Sequence, residues 1–216
     1  MPENISFENA LFYDSLTLLA ETEDLLLLCP VDFKETFVLA KKADLPQFSR
    51  LLAVTDGGQK IWYAKKDGDS YGGIACFQYG KSTPLQEEAL AFDSFQAVSE
   101  TAILFTHNLP DGGVLYLFRD LEQNTYSSLT VDQPFDGVTC DPAGKTLCGT
   151  RSADGKGSVF VYDLLSGKEV GSWTPEHGIP APSMAISSDA TTLLVAVGMD
   201  SDEVLGTLSL LSLKRK

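Results

Sequence analysis

The stretch that most constrains this chain is Phe135 to Trp173, FDGVTCDPAGKTLCGTRSADGKGSVFVYDLLSGKEVGSW, because it writes out four short strands together with the turns between them. Val138-Thr139-Cys140, Thr146 to Thr150, Ser158 to Tyr162 and Lys168 to Trp173 are rich in β-branched, aromatic and small apolar residues, which suit a pleated, packed surface. Asp141-Pro142-Ala143-Gly144, Ser152 to Gly157 and Ser166-Gly167 punctuate them. Gly, Pro, Asp and Ser mark turns because they preset the backbone, tolerate left-handed angles or hydrogen-bond to neighbouring amides.

The remaining segments read as looser copies of this unit. Taking Leu25, Lys60, Thr101, Thr146 and Thr192 as the starts of equivalent second strands gives steps of 35, 41, 45 and 46 residues. The next apolar strand opens at Phe37, Ile74, Val114, Val159 and Leu205, which lie 12, 14, 13, 13 and 13 residues later. The steps bracket the roughly 40 to 45 residues of a four-stranded unit, and the second, tighter spacing supports the same repeat. The clearest copy resembles a WD40-type β-propeller blade: Asp141 to Lys145 sits where such blades carry a first hairpin turn, and Tyr162-Asp163 where they often carry Trp-Asp.

The resemblance implies an all-β chain forming a β-propeller of about five four-stranded blades. One domain is expected over 1–216, with blades near 14–50, 51–91, 92–134, 135–177 and 178–213. The fifth unit ends in Lys214-Arg215-Lys216 before a fourth strand, while Ile5 to Tyr13 has no place in the first. The economical expectation is that 5–13 closes the last blade and hides its open edge. Five units is fewer than the seven typical of WD40-like rings, which leaves a ring completed by a partner chain as the alternative. Pro84 to Leu90 reads either as an outer strand or, from Gln86, as a short helical turn.

Lys and Arg total 16 against 30 Asp and Glu, a net charge of −14. That balance argues against nucleic acid or an anionic membrane as the main partner and favours a protein with a basic surface or a cation, while the shortage of blades allows a subunit's place in a larger complex. The acidity also serves solubility. The N-terminus lacks the cationic head and apolar run of a secretory signal, and no stretch approaches the roughly 20 apolar residues of a membrane span; a cytoplasmic location is expected. Cys29, Cys76, Cys140 and Cys148 show no metal or redox spacing. They read as reduced core thiols. Cys140 and Cys148 flank one turn symmetrically, so a cross-strand disulfide is the alternative, disfavoured by its strained geometry.

Each connection between the second and third strands of these units contains aspartate: Asp32, Asp67 with Asp69, Asp111, Asp154, and Asp200 with Asp202. Tight turns use Asp for local hydrogen bonding. The additional acids Asp69, Asp202 and Glu203 suggest a second role, an acidic loop face that steers a basic partner. Asp69, Asp111, Asp154, Asp200 and Asp202 are the candidate partner-binding residues, with Trp62 as an aromatic anchor because adjacent Trp62 and Tyr63 point to opposite faces of a strand. Asp67 to Ser70 and Asp200 to Glu203 alternate oxygen donors but lack the full spacing of a calcium loop.

With two histidines, His107 and His177, no His-rich metal cluster can be assembled, and no nucleophile elbow or phosphate-binding glycine loop is present. No metal, cofactor or catalytic residue is expected. The sequence therefore points to a non-enzymatic interaction scaffold or adaptor. The alternatives are a small-ligand or carbohydrate-binding propeller, and a five-bladed glycoside hydrolase whose acids would have to come from Asp93 and Asp136 on inner strands.

Overall fold

The computed structural model describes residues 6–32, 34–79, 81, 84–198 and 206–213. Five antiparallel sheets follow one another along the chain, each made of strands consecutive in sequence. The first contains β1 (Asn9–Asp14), β2 (Thr17–Glu21), β3 (Leu25–Pro30) and β4 (Phe37–Lys41), and a short 3-10 turn at Lys42–Asp44 leads onward. The second contains β5 (Phe48–Thr55), β6 (Lys60–Asp67), β7 (Ser70–Gln78) and β8 (Gln86–Phe92). Then come β9 (Ser94–Ala97), β10 (Ala102–Asn108), β11 (Val114–Asp120) and β12 (Thr125–Val131), followed by β13 (Gly137–Cys140), β14 (Thr146–Ala153), β15 (Lys156–Asp163) and β16 (Lys168–Trp173). Among the described residues the last sheet has three strands, β17 (Ile179–Ile186), β18 (Thr192–Gly198) and β19 (Gly206–Ser212).

The fourth sheet matches the sequence reading strand for strand, while the first is shifted by one strand. Thr17 to Glu21, not Leu25 to Cys29, is its second strand, because Asn9 to Asp14 precedes it in the same sheet. The expectation that 5–13 closes the last blade is corrected accordingly. A tight hairpin closed by the Asp14 carboxylate, which accepts the Leu16 N–H at 2.8 Å, pairs β1 locally with β2. Local pairing has little loop-closure entropy to overcome. The helical option at Gln86 to Leu90 is also set aside, since β8 pairs with β7 there.

Every turn between a sheet's first and second strands begins with Asp or Ser, at Asp14, Asp56, Ser99, Asp141 and Ser187, positions 42 to 46 residues apart. Ser99 Oγ accepts the N–H groups of Thr101 and Ala102 at 3.3 and 3.1 Å. Ser187 Oγ accepts those of Thr191 and Thr192 at 3.2 and 2.9 Å. The Asp141 carboxylate, 2% exposed, takes the N–H of Ala143 at 3.1 Å, of Lys145 at 2.9 Å, and of Thr146. A buried carboxylate with three amide donors is well satisfied.

The chain groups into two compact units, Met1–Ile103 with Leu121–Gln123, and Leu104–Asp120 with Asn124–Lys216. In the first, Leu19, Leu26, Leu51, Ile61, Tyr63 and Phe77 form a core between the first and second sheets. Beside it lies Glu21, 1% exposed, whose carboxylate accepts the Leu51 N–H and a Lys42 Nζ proton, both at 3.1 Å. Lys42 also donates to Glu8 and to the Thr22 carbonyl, and stands 5.2 Å from the Phe48 ring centroid. Burial alone lowers the Lys42 pKa, but the hydrogen bonds and charges of Glu21 and Glu8 outweigh it and the net shift is upward.

In the second unit, Cys148, Val159, Leu193, Val195 and Val197 form a core completed by Trp173, Met184 and Leu211. Register settles the cysteine alternative. Cys140 pairs with Leu147 and Cys148 with Thr139, so the two thiols leave opposite faces of the sheet and all four cysteines are free. Burial, reinforced by the Asp141 charge, raises both thiols, Cys148 to about 12, and keeps them protonated near neutral pH.

Substitutions at Glu21, Lys42 and Gly144 test this packing. Lys42→Ala leaves the Glu21 charge buried with its ion-pair partner gone and should cost about 3 kcal/mol in urea unfolding, while a Glu21→Met/Lys42→Met pair should recover most of it. The Lys42 contribution is complete below the ordinary lysine value of 10.5 and is lost as pH rises through the raised folded value, so Lys42→Met should lack that part of the alkaline loss. Gly144 has φ +65° and an added Cβ would meet Phe118 Cδ1 at 2.2 Å. Gly144→Ala should therefore destabilise the protein by about 2 to 3 kcal/mol, read from the same measurement.

Candidate protein interface

The turns between second and third strands occupy the same topological position in every sheet, and the chain places exposed acids at each one described. In the first sheet this turn is Thr22-Glu23-Asp24, closed by reciprocal bonds between Thr22 and Leu25, with the Leu25 N–H donating to Thr22 Oγ1 at 3.0 Å. Glu23 and Asp24 are the acids that the shifted reading missed; their signal was the Asp14 turn, which fixes the strand phase. Asp32 belongs instead to the following connection, between β3 and β4.

Asp69 is exposed in the turn between β6 and β7, after Gly68 at φ +62°. A glycine with positive φ at the first loop position is what a type II′ hairpin requires. Asp111, exposed between β10 and β11, accepts the Gly113 N–H at 3.1 Å and so shapes its own turn. Asp154, also exposed, has φ +52° and Gly155 φ +74°, both left-handed, as in a type I′ turn joining Ala153 to Lys156. Asp200 and Asp202 lie outside the described residues. The aspartates thus shape turns and present charge together.

Trp62 does not serve as a surface anchor. It is 2% exposed, Tyr63 is fully buried, and the Trp62 indole N–H donates to Thr55 Oγ1 at 3.0 Å. The sequence argument assumed one dry face per strand, whereas β6 is covered on both: Ile61 to Ala64 are all buried.

In the first unit, a cleft of about 400 Å³ opens along the first strands of three successive sheets, lined by Asn9, Arg50, Tyr71, Asp93, Phe95 and Gln96 among others. Asn9 Nδ2 donates to the Leu51 carbonyl there at 3.4 Å. In the second unit the Asp136 carboxylate is engaged by the Ser152 N–H and hydroxyl at 2.7 and 2.6 Å. Asp93 and Asp136 therefore belong to different units, and one oxygen of Asp136 is engaged by Ser152 in β14. A second recess, about 540 Å³, lies between the fourth and fifth sheets against Val159, Val161, Trp173, Leu211 and Leu213.

Among the described residues no group of three or more His, Cys, Asp or Glu is placed to hold a metal ion, and no helix is long and apolar enough to cross a membrane.

No known family model matches the chain, and no curated protein matches it in sequence. Among solved structures it is similar to an uncharacterized protein from Listeria monocytogenes, with TM-score 0.61 and 9% identity over 97% of this chain and 70% of that one. It is also similar to hydrazine synthase of Kuenenia stuttgartiensis, with TM-score 0.53 and 13% identity over 99% and 66%, and to Hsv2 of Kluyveromyces lactis, with 0.53 and 14% over 92% and 59%. The chain spans about three fifths to two thirds of the length of the last two. Identities this low speak for fold alone. With the five meanders, they define the class: an all-β protein of the β-propeller type.

The double role of the turn aspartates can be separated at Asp154. Asn keeps the tolerance of left-handed backbone without the charge. Asp154→Asn should leave the thermal midpoint nearly unchanged, whereas Asp154→Val should cost about 1 to 2 kcal/mol through strain at the same φ.

Proposed function

We propose that this chain is a non-enzymatic protein-interaction scaffold of the WD40-like kind, acting in the cytoplasm, that presents acidic turns to a basic segment of a partner protein. One observation carries the reading. Glu23, Asp24, Asp69, Asp111 and Asp154 stand exposed at the same connection of four successive sheets, in a chain of net charge −14. Exposed charges of one sign raise encounter rates and select orientation more than they add affinity, which suits an adaptor that must release its partner. Hydrogen-bonded strands on either side hold each of these turns in place. Asp200 and Asp202, at the corresponding connection in sequence, extend the same set.

The triple substitution Asp69→Asn/Asp111→Asn/Asp154→Asn tests the proposal with turn geometry kept. With a lysine-rich peptide as probe, titrated at low salt, the variant should bind about tenfold more weakly than the parent while unfolding at the same temperature. Parent binding should also fall steeply as salt is added. Equal binding by parent and variant would remove the acidic turns from the function.

A second reading is favoured by the cleft of the first unit, where the Arg50 cation, the Asp93 carboxylate, two amides and two aromatic side chains line one space. Such a lining fits a small polar ligand such as a sugar. Binding of a monosaccharide that Arg50→Ala abolishes, with lysine-peptide binding unaffected, would support it.

A further inference from the structure

The fifth sheet differs from the other four in a way that singles out its last strand. The outermost strands of the first, second and fourth sheets carry charge, at Lys41, at Glu87 and Glu88, and at Lys168 and Glu169, and that of the third is mainly Ser and Thr. Edge strands need such residues because their unpaired amides and carbonyls template pairing with other chains. β19, Gly206–Ser212, has none: it is GTLSLLS, and β17 and β18 beside it are uncharged as well. Leu208 and Leu210 stand 71% and 73% exposed on one face of β19. On the other, Leu211 borders the recess against Val159, Val161 and Trp173. No fourth strand lies beside β19 among the described residues.

We propose that the edge of β19 is a self-association surface, on which a second copy of this chain adds its own β19 antiparallel about a two-fold axis at Ser209. In that register Leu208 of each copy meets Leu210 of the other, Thr207 meets Leu211, and Gly206 meets Ser212. Four exposed leucines gather into one cluster on a shared face, and the two sheets become a continuous six-stranded one. An isologous contact of this kind requires a self-complementary strand, and LSL centred on Ser209 is one. The flanking sequence is complementary in charge as well. Asp200, Asp202 and Glu203 precede the strand in sequence and Lys214, Arg215 and Lys216 follow it, so two copies aligned antiparallel about Ser209 bring opposite charges to matching sequence positions. The uncharged sheet is also where two chains of net charge −14 can approach with least repulsion.

One strand pair and four leucines bury less than the roughly 1,200 Å² of a standard stable interface, so the dimer is weak and concentration-dependent. Sedimentation equilibrium of the full chain from low micromolar to near-millimolar concentration should show a monomer–dimer equilibrium. Leu208→Lys or Leu210→Lys should weaken it by about tenfold or more, because each substitution enters the two-fold contact twice. Circular dichroism should stay unchanged, since both side chains are already in solvent. Ser209→Cys should cross-link into a disulfide dimer under mild oxidation, and Ser212→Cys, far from its own symmetry mate, should not.

A monomer at every concentration would overturn the proposal, as would a dimer indifferent to both lysines or equal cross-linking at the two cysteine positions. So would a chain that stays monomeric while its β19 edge, probed by Leu208→Lys, is needed for lysine-peptide binding; that result would assign the edge to the basic partner.

Discussion

Burial on both faces of the inner strands is the constraint on which the rest of this structure depends. Successive residues of a strand point to opposite sides, yet Ile61 to Ala64 in β6, Gly73 to Phe77 in β7 and Thr146 to Thr150 in β14 are buried in sequence. A sheet of this kind is stable only with apolar material on each side, which a solitary meander cannot supply. The outermost strands relax toward alternation, as in β8 and β12. Charge is accordingly driven to the turns and the outer strands, where interaction with other molecules is possible.

The same constraint decides what the sequence revealed. The fourth sheet was legible because its turn residues, Asp141 to Gly144, Asp154-Gly155 and Ser166-Gly167, fall between runs that only strands explain. Two agreeing spacings carried the repeat to the other sheets. The first sheet was misphased because Leu25 to Cys29 is the most apolar run in its neighbourhood, while the true marker was the Asp14 turn. The recurrence of Asp14, Ser99, Asp141 and Ser187 is a property of hydrogen-bonding chemistry, with Ser and Asp interchangeable as acceptors of turn amides, and identity-based comparison of repeats passes over it.

Other features depended on register or on distant contacts. Cys140 and Cys148 are symmetric about their turn in sequence, but a one-residue offset in pairing sends them to opposite faces. Trp62 looked like an anchor because alternation normally exposes one of two adjacent aromatics. Glu21 gave no signal at all: it is an ordinary acid at the end of β2, and becomes the buried partner of Lys42 and of the Leu51 amide only once the first two sheets pack.

Acidic residues therefore do two different things in one chain. Glu21 and Asp141 are buried and fully engaged, so their charge is confined within the fold. Asp111 and Asp154 shape turns while keeping their charge in water. The uncharged strands of the fifth sheet form the complementary extreme, a surface whose own contacts are decided by apolar shape. A protein built this way has two kinds of outward surface with opposite responses to solvent: contacts through the acidic turns weaken as salt screens them, whereas contacts through exposed leucines on a strand edge persist. Salt can thus separate the two modes of association within the same molecule.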